Sequence, residues 1–140
     1  MSATIPDSHV DILQNAFSAM VTTIRHKDGL PSTNPVSFVW DGERVRFSTL
    51  KQRVKYKNLI HNPALTMCMM DPRDMTRYIE IRGHGEIEDD PGGEWNKAIY
   101  RKVMGEEFTL DEPDAERVIV TLIPEQVSAP LLYGGKLART

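Results

Sequence analysis

The sequence predicts a mainly β chain, a small antiparallel barrel with flanking helices, and three observations carry that prediction. Two Asp-Gly pairs, Asp28-Gly29 and Asp41-Gly42, each offer a tight turn between extended segments. From Tyr78 to Glu88 the pattern alternates, with Ile79, Ile81, Gly83, Gly85 and Ile87 on one face and Tyr78, Glu80, Arg82, His84 and Glu86 on the other. At 140 residues and 40% hydrophobic composition the chain can bury one core and not two, so residues 1–140 are expected to form one domain.

The elements follow in order. Asp7 or Ser8 can cap an opening amphipathic helix over residues 8 to 18, in which Val10, Leu13 and Phe17 recur at helical spacing. Met20 to His26 and Ser32 to Trp40 are the first two strands, and Glu43 to Thr49 is a third, half buried, with Arg44, Arg46 and Ser48 sharing its polar face. After Leu50 the spacing of Val54, Asn58, Leu59 and Asn62 suits a short helix that ends before Pro63, which has no amide to continue it.

Ala64 to Met70 is an apolar run of strand length, expected to be buried on both faces. In Tyr78 to Glu88 the alternate glycines permit sharp curvature or close backbone approach, as in a curled strand at a barrel wall. Pro91-Gly92-Gly93 opens a helix from Glu94 to Met104 with Trp95, Ile99 and Val103 on one face, and the acidic stretch Gly105 to Glu116 is a loop. Arg117 to Ile123 closes the sheet, and the tail Ala129 to Thr140 either packs across a subunit interface or frays.

Composition excludes several classes. No run of about 18 apolar residues exists to span a membrane, and the N-terminus lacks the basic start and apolar core of a secretory signal, so a cytoplasmic protein is expected. The single cysteine, Cys68, permits no intrachain disulfide, and the four scattered histidines offer no metal-ligand spacing, so no metal is expected. A net charge of −3 argues against a general nucleic-acid binder, which needs a lysine- and arginine-rich face.

Against that acidic background the basic residues cluster. Arg44, Arg46, Lys51, Arg53, Lys55 and Lys57 fall between Glu43 and Lys57 with one acid, Glu43 itself. A strand, turn and helix N-terminus in this stretch can present unpaired amides to an anion, with Ser48, Thr49, Lys51, Arg53 and Lys55 as further donors; a solvated basic turn is the competing reading.

The run Ser48-Thr49-Leu50-Lys51-Gln52-Arg53-Val54-Lys55-Tyr56-Lys57-Asn58-Leu59, followed by Asn62-Pro63 and a strand ending at Asp71-Pro72, resembles the phosphate-binding stretch of the pyridoxamine 5'-phosphate oxidase-like split-barrel superfamily. More narrowly it is similar to the deazaflavin-dependent branch, the flavin/deazaflavin oxidoreductases of the B type. Ala19 to Thr23, Pro31 to Val36 and Tyr78 to Ile87 agree with that resemblance.

The resemblance implies a six-stranded antiparallel split β-barrel of the FMN-binding type. It implies a homodimer with the cofactor site at the subunit interface. It also implies cofactor contacts from Arg53 and Lys55 with Ser48, Thr49 and Lys51 for the phosphate, and from Asn34, Pro35, Val36 and Ser37 along the ring.

Coenzyme F420 and FMN both present a phosphate and a tricyclic ring. The anionic tail of F420 suits the extra cations Lys57, Arg44 and Arg46, which favours F420, although these charges also serve solubility. Hydride transfer is then the ring's chemistry, and the expected activity is reduction of a small unsaturated or conjugated molecule. A non-catalytic F420 carrier and an FMN-dependent oxidase or reductase are the alternatives. His84 and Tyr78 can donate a proton to a reduced substrate; a hydrogen-bonded surface histidine and a packed tyrosine are the competing readings. Met67, Met69, Met70 and Met75 suit either core packing or an adaptable pocket.

Overall fold

The computed structural model describes residues 3–135; the tail expected to pack or fray therefore lies partly outside the described residues. A 3-10 turn, Asp7–His9, leads into α1, Val10–Asn15. Ile12 and Leu13 are buried, whereas Phe17 lies past the helix and is 68% exposed. The helix expected to reach residue 18 stops early because Ala16 turns extended (φ −69°, ψ 140°) to feed the first strand.

The strands are β1 Ala19–Ile24, β2 Pro31–Val36, β3 Val39–Trp40, β4 Val45–Leu50, β5 Ala64–Asp71, β6 Asp74–Asp89 and β7 Arg117–Ser128; α2 is Val54–His61 and α3 Glu94–Met104. They form one sheet, ordered β2-β1-β5-β6-β7-β4-β3, with every neighbour antiparallel. Seven strands replace the expected six because Ser32 to Trp40 divides: β2 pairs with β1 at one edge and β3 with β4 at the other. Only Ser37 and Phe38 connect them. Three Cα steps span at most about 11 Å, so the two edges lie side by side and the sheet curls into a barrel split along that seam.

Curvature is built at Gly83. There the β6–β7 register slips, leaving Glu125 without a partner between Pro124 and Gln126. A Cβ added to Gly83 would stand 1.9 Å from the Ile123 carbonyl oxygen, so the close backbone approach needs glycine. Inside the curl, Val21, Phe47, Met67, Met69, Ile79, Ile81, Val120 and Leu122 form the core.

The helices decide which sheet faces are covered. α1 packs on β3 and β5, α2 on β1 and β4, and α3 on β4 and β7. Among the described residues the outer face of β5 is only partly covered. The run expected to be buried on both faces is therefore buried on one, through Leu65, Met67 and Met69, while Cys68 is half-buried and Met70 exposed. Met75 is exposed as well, so the four clustered methionines divide between core and surface. α3 has the expected bounds; Ile99 is its buried residue, and Trp95 stays partly exposed with the Arg46 guanidinium 5.2 Å from its ring centroid.

One ionic cluster ties α1 to the β5–β6 hairpin. Arg77 donates to both carboxylate oxygens of Asp11 at 2.8 Å and to Asp71 at 3.0 Å, and also to the Ser8 carbonyl. The Arg77 guanidinium holds the Asp11 carboxyl below the usual range. At Asp71 burial pushes upward, but the Arg73 amide and Arg77 outweigh it, so that carboxyl is also lowered. No helix among the described residues is long and apolar enough to cross a membrane.

Candidate functional site

The basic stretch leaves β4 through a turn closed by the Arg53 amide donating to the Leu50 carbonyl at 2.9 Å. Arg53 is extended and α2 begins at Val54, with no side-chain cap and no acid in the first turn. The amides of Val54, Lys55 and Tyr56 precede the first intrahelical donor, Lys57, and have no partner within the helix. A helix start of this kind carries partial positive charge. Here it is joined by two cations, with no carboxylate among the described residues at ion-pair distance from either.

The start of α2 faces β1 and β2 across a cleft of about 280 Å³, lined by Thr23, Ser32, Asn34, Arg53, Lys55 and Asn58, with exposed Val54 at its rim. Strand register explains the polar wall. Thr23 pairs with Ser32 and Val21 with Asn34, so Ser32 and Asn34 share the barrel-facing side of β2. Asn58, 3% exposed, fastens the helix beneath them: its Nδ2 donates to Thr23 Oγ1 and its Oδ1 accepts the His26 amide, both at 3.1 Å.

Lys55 dominates the electrostatics of the cleft. Burial, with the Arg53 guanidinium beside it, holds the Lys55 ammonium below the ordinary lysine range. Neither Arg53 nor Lys55 forms an ion pair, in contrast to most of the other cations among the described residues. Two desolvated or adjacent positive charges at an uncapped helix start are unfavourable together. An anion placed among them relieves that repulsion.

The other predicted hydroxyls and cations do not line this cleft. Lys51 Nζ lies 3.1 Å from Asp89 and 3.5 Å from Glu116, and those carboxylates raise its pKa, Asp89 foremost. Ser48 faces away, toward Arg117, whose Nη1 donates to its hydroxyl at 3.4 Å, and Thr49 is buried. Lys57 is exposed one turn along α2 from Arg53. Arg46 is held by Asp41, Thr121 and Trp95.

Of the segment assigned to the ring, Asn34 and Val36 point to the cleft side of β2, whereas Pro35 is exposed on the other and Ser37 is exposed just past the strand. Tyr78 and His84 stand on the outer face of β6: Tyr78 pairs with exposed Met70, and His84 Nδ1 is 3.6 Å from a Glu125 oxygen. They lie across the sheet from the cleft.

A larger hollow of about 570 Å³ opens at the other end of β4, between Ile5, Val10, Trp40 and Arg44. Asp7 and Glu43 also line it, so its charge suits an anion less well.

Three cleft residues were not singled out by sequence pattern: Thr23, Ser32 and Asn58. Their signal was present but faint. Thr23 is a hydroxyl on the face of β1 that otherwise buries Ala19 and Val21, and Asn58 an amide on the buried face of α2 next to Leu59. A polar residue at a core position needs a partner.

An antiparallel split barrel whose β4–α2 junction carries an uncapped, doubly cationic cleft has the charge and the exposed amides to receive a small anion. The chain belongs to the pyridoxamine 5'-phosphate oxidase family, whose model matches residues 5–129, and this places it among split-barrel oxidoreductases of flavin type. Among solved structures it is similar to an F420 reductase, with 34% identity and a TM-score of 0.81 over 89% of this chain and 98% of that one. It also shares its fold with a conserved hypothetical protein from Mycobacterium tuberculosis (17% identity, TM-score 0.71, 90% and 84% covered). General stress protein 26 from Bacillus anthracis shares it too (21%, 0.64, 84% and 87%). At those identities the likeness concerns the fold alone. No curated protein matches the sequence.

Proposed function

We propose that the chain is an oxidoreductase that uses reduced coenzyme F420 to reduce a small unsaturated or conjugated organic molecule. The observation that carries the reading is the half-buried, unpaired Lys55 beside Arg53 at the uncapped start of α2, facing the polar wall of Thr23, Ser32 and Asn34. These residues fit a phosphoryl group: Arg53 and Lys55 supply charge-assisted donors, and the free amides of α2 supply neutral ones. Whole-ligand pockets span about 300–1,000 Å³, so a cleft of about 280 Å³ suits the phosphoryl end, with the ring beyond it past Asn34 and Val36.

When bound, the reduced deazaflavin supplies the hydride. The protein's part is to hold the phosphate, orient the ring and shield the reacting face from water. The 34% identity to an F420 reductase supports F420; the family itself supports FMN as the second reading.

A homodimer is part of this proposal. In the single chain, Met20 and Met70 are 41% and 52% exposed on the outer face of β1 and β5, next to Cys68 and Tyr78. A second subunit laid on that face would bury them, and a proton-donating role for Tyr78 or His84 would belong to that shared site. The test is a side-by-side titration of the protein with coenzyme F420 and FMN. Tighter binding of F420 is expected; preference for FMN moves the protein to the second reading, and binding of neither overturns both.

A further inference from the structure

We propose that Asn58, acting through Thr23, is a positioning residue that holds the start of α2 in register with the cleft wall; the inference rests on the cleft being the phosphate site. The Asn58 side chain sits one turn beyond Lys55, buried, and both its bonds run to β1 or its end: Nδ2 to Thr23 Oγ1 and Oδ1 from the His26 amide, each 3.1 Å. Thr23 is in turn the register partner of Ser32. A single chain of contacts therefore links the cationic side of the cleft to its polar side.

Asn58 neighbours buried Leu59 on α2. An apolar side chain of similar size would fill the same space but leave the Thr23 hydroxyl and the His26 amide without this partner. What the amide adds is direction. Apolar contact lets a short helix slide or roll by fractions of an ångström, whereas two angle-dependent hydrogen bonds, one to β1 and one to the turn after it, fix its position. Arg53, Lys55 and the free amides of α2 must converge on one small anion, and misplacement by about 1 Å is enough to lose most of such a site's effect. The second anchor of α2 lies beside the first: His61 stacks on His26 with ring centroids 3.5 Å apart, and its Nδ1 donates to the Lys57 carbonyl at 2.7 Å.

The experiment compares phosphorylated with dephosphorylated ligands. Wild type, Asn58→Leu, Thr23→Val and Thr23→Ser are titrated with coenzyme F420 and FMN, and with the deazaflavin and riboflavin that lack the phosphoryl group. The quantity read is the ratio of the two affinities. Wild type and Thr23→Ser, which keeps the hydroxyl, are expected to share one ratio. Thr23→Val and Asn58→Leu are expected to reduce it by about tenfold or more while binding of the dephosphorylated ligand stays unchanged.

A ratio preserved in Thr23→Val overturns the inference, as does equal loss for both ligand forms, which marks a merely structural tether. Should Asn58→Leu fail to fold, the valine and serine variants decide the matter between them. A wild type with no preference for the phosphorylated forms overturns the cleft assignment itself, and this inference with it.

Discussion

Replacing Lys55 with methionine is expected to make the ligand-free protein more stable and its cofactor binding weaker. In the free protein the ammonium is disfavoured by burial, by Arg53 beside it and by the positive end of α2. The helix-end effect alone is about 0.3–1 kcal/mol, which for a chain of this size raises Tm by roughly 1–4 °C. The pH dependence has a definite sign. Because the folded pKa is lowered, the unfolded chain binds more protons between that value and the ordinary lysine range. Wild-type stability therefore carries the full penalty below the folded pKa and regains it as pH rises toward the lysine range. Lys55→Met removes that rise.

Binding moves the other way. One charge-assisted contact is worth roughly 1.5–3 kcal/mol, so affinity for F420 or FMN should fall about 10- to 150-fold. Thermal melts without ligand, paired with fluorescence or calorimetric titrations, measure both sides. A variant that melts below wild type and binds as tightly would refute the reasoning, because Lys55 would then be a structural cation.

Three other expectations follow from the fold and the proposed assembly. Gly83→Ala should cost at least about 3 kcal/mol and lower Tm by roughly 10 °C, since its Cβ would meet the Ile123 backbone; an unchanged melt would show that the β6–β7 bulge opens freely. Arg77→Met should cost about 2–4 kcal/mol by stranding the buried Asp71 carboxylate. Wild-type stability from the lowered Asp11 and Asp71 is present above the ordinary carboxylate range and lost as pH falls through their folded values, so the acid limb of a pH–stability curve should be shallower in the variant. Met70→Glu on the exposed face of β5 should shift sedimentation from dimer toward monomer and weaken cofactor binding; a variant that stays dimeric places the subunit contact elsewhere.

Much of this protein was legible in the order of its residues. Local signals set local structure: the Asp-Gly turns, Pro63 after α2, Pro91-Gly92-Gly93 before α3 and the alternation of β6 each act over a few positions, where backbone sterics and side-chain period decide. The run Arg53 to Asn58 announced a cationic helix start in the same way. What sequence could not supply was every relation between segments distant along the chain.

Ser32 to Trp40 reads as one strand, and only pairing with β1 on one side and β4 on the other divides it. Lys51, Arg53 and Lys55 look equivalent in sequence. Asp89 and Glu116 come from other elements to neutralise the first, and among the described residues no carboxylate comes within ion-pair distance of the other two. The Asn58–Thr23 tether spans 35 positions and is likewise invisible to periodicity. Burial of β5 on one face rather than two depended on where the helices settled. Short-range propensity is written in composition and spacing, whereas desolvation and ion pairing depend on three-dimensional neighbours, and only the fold chooses those.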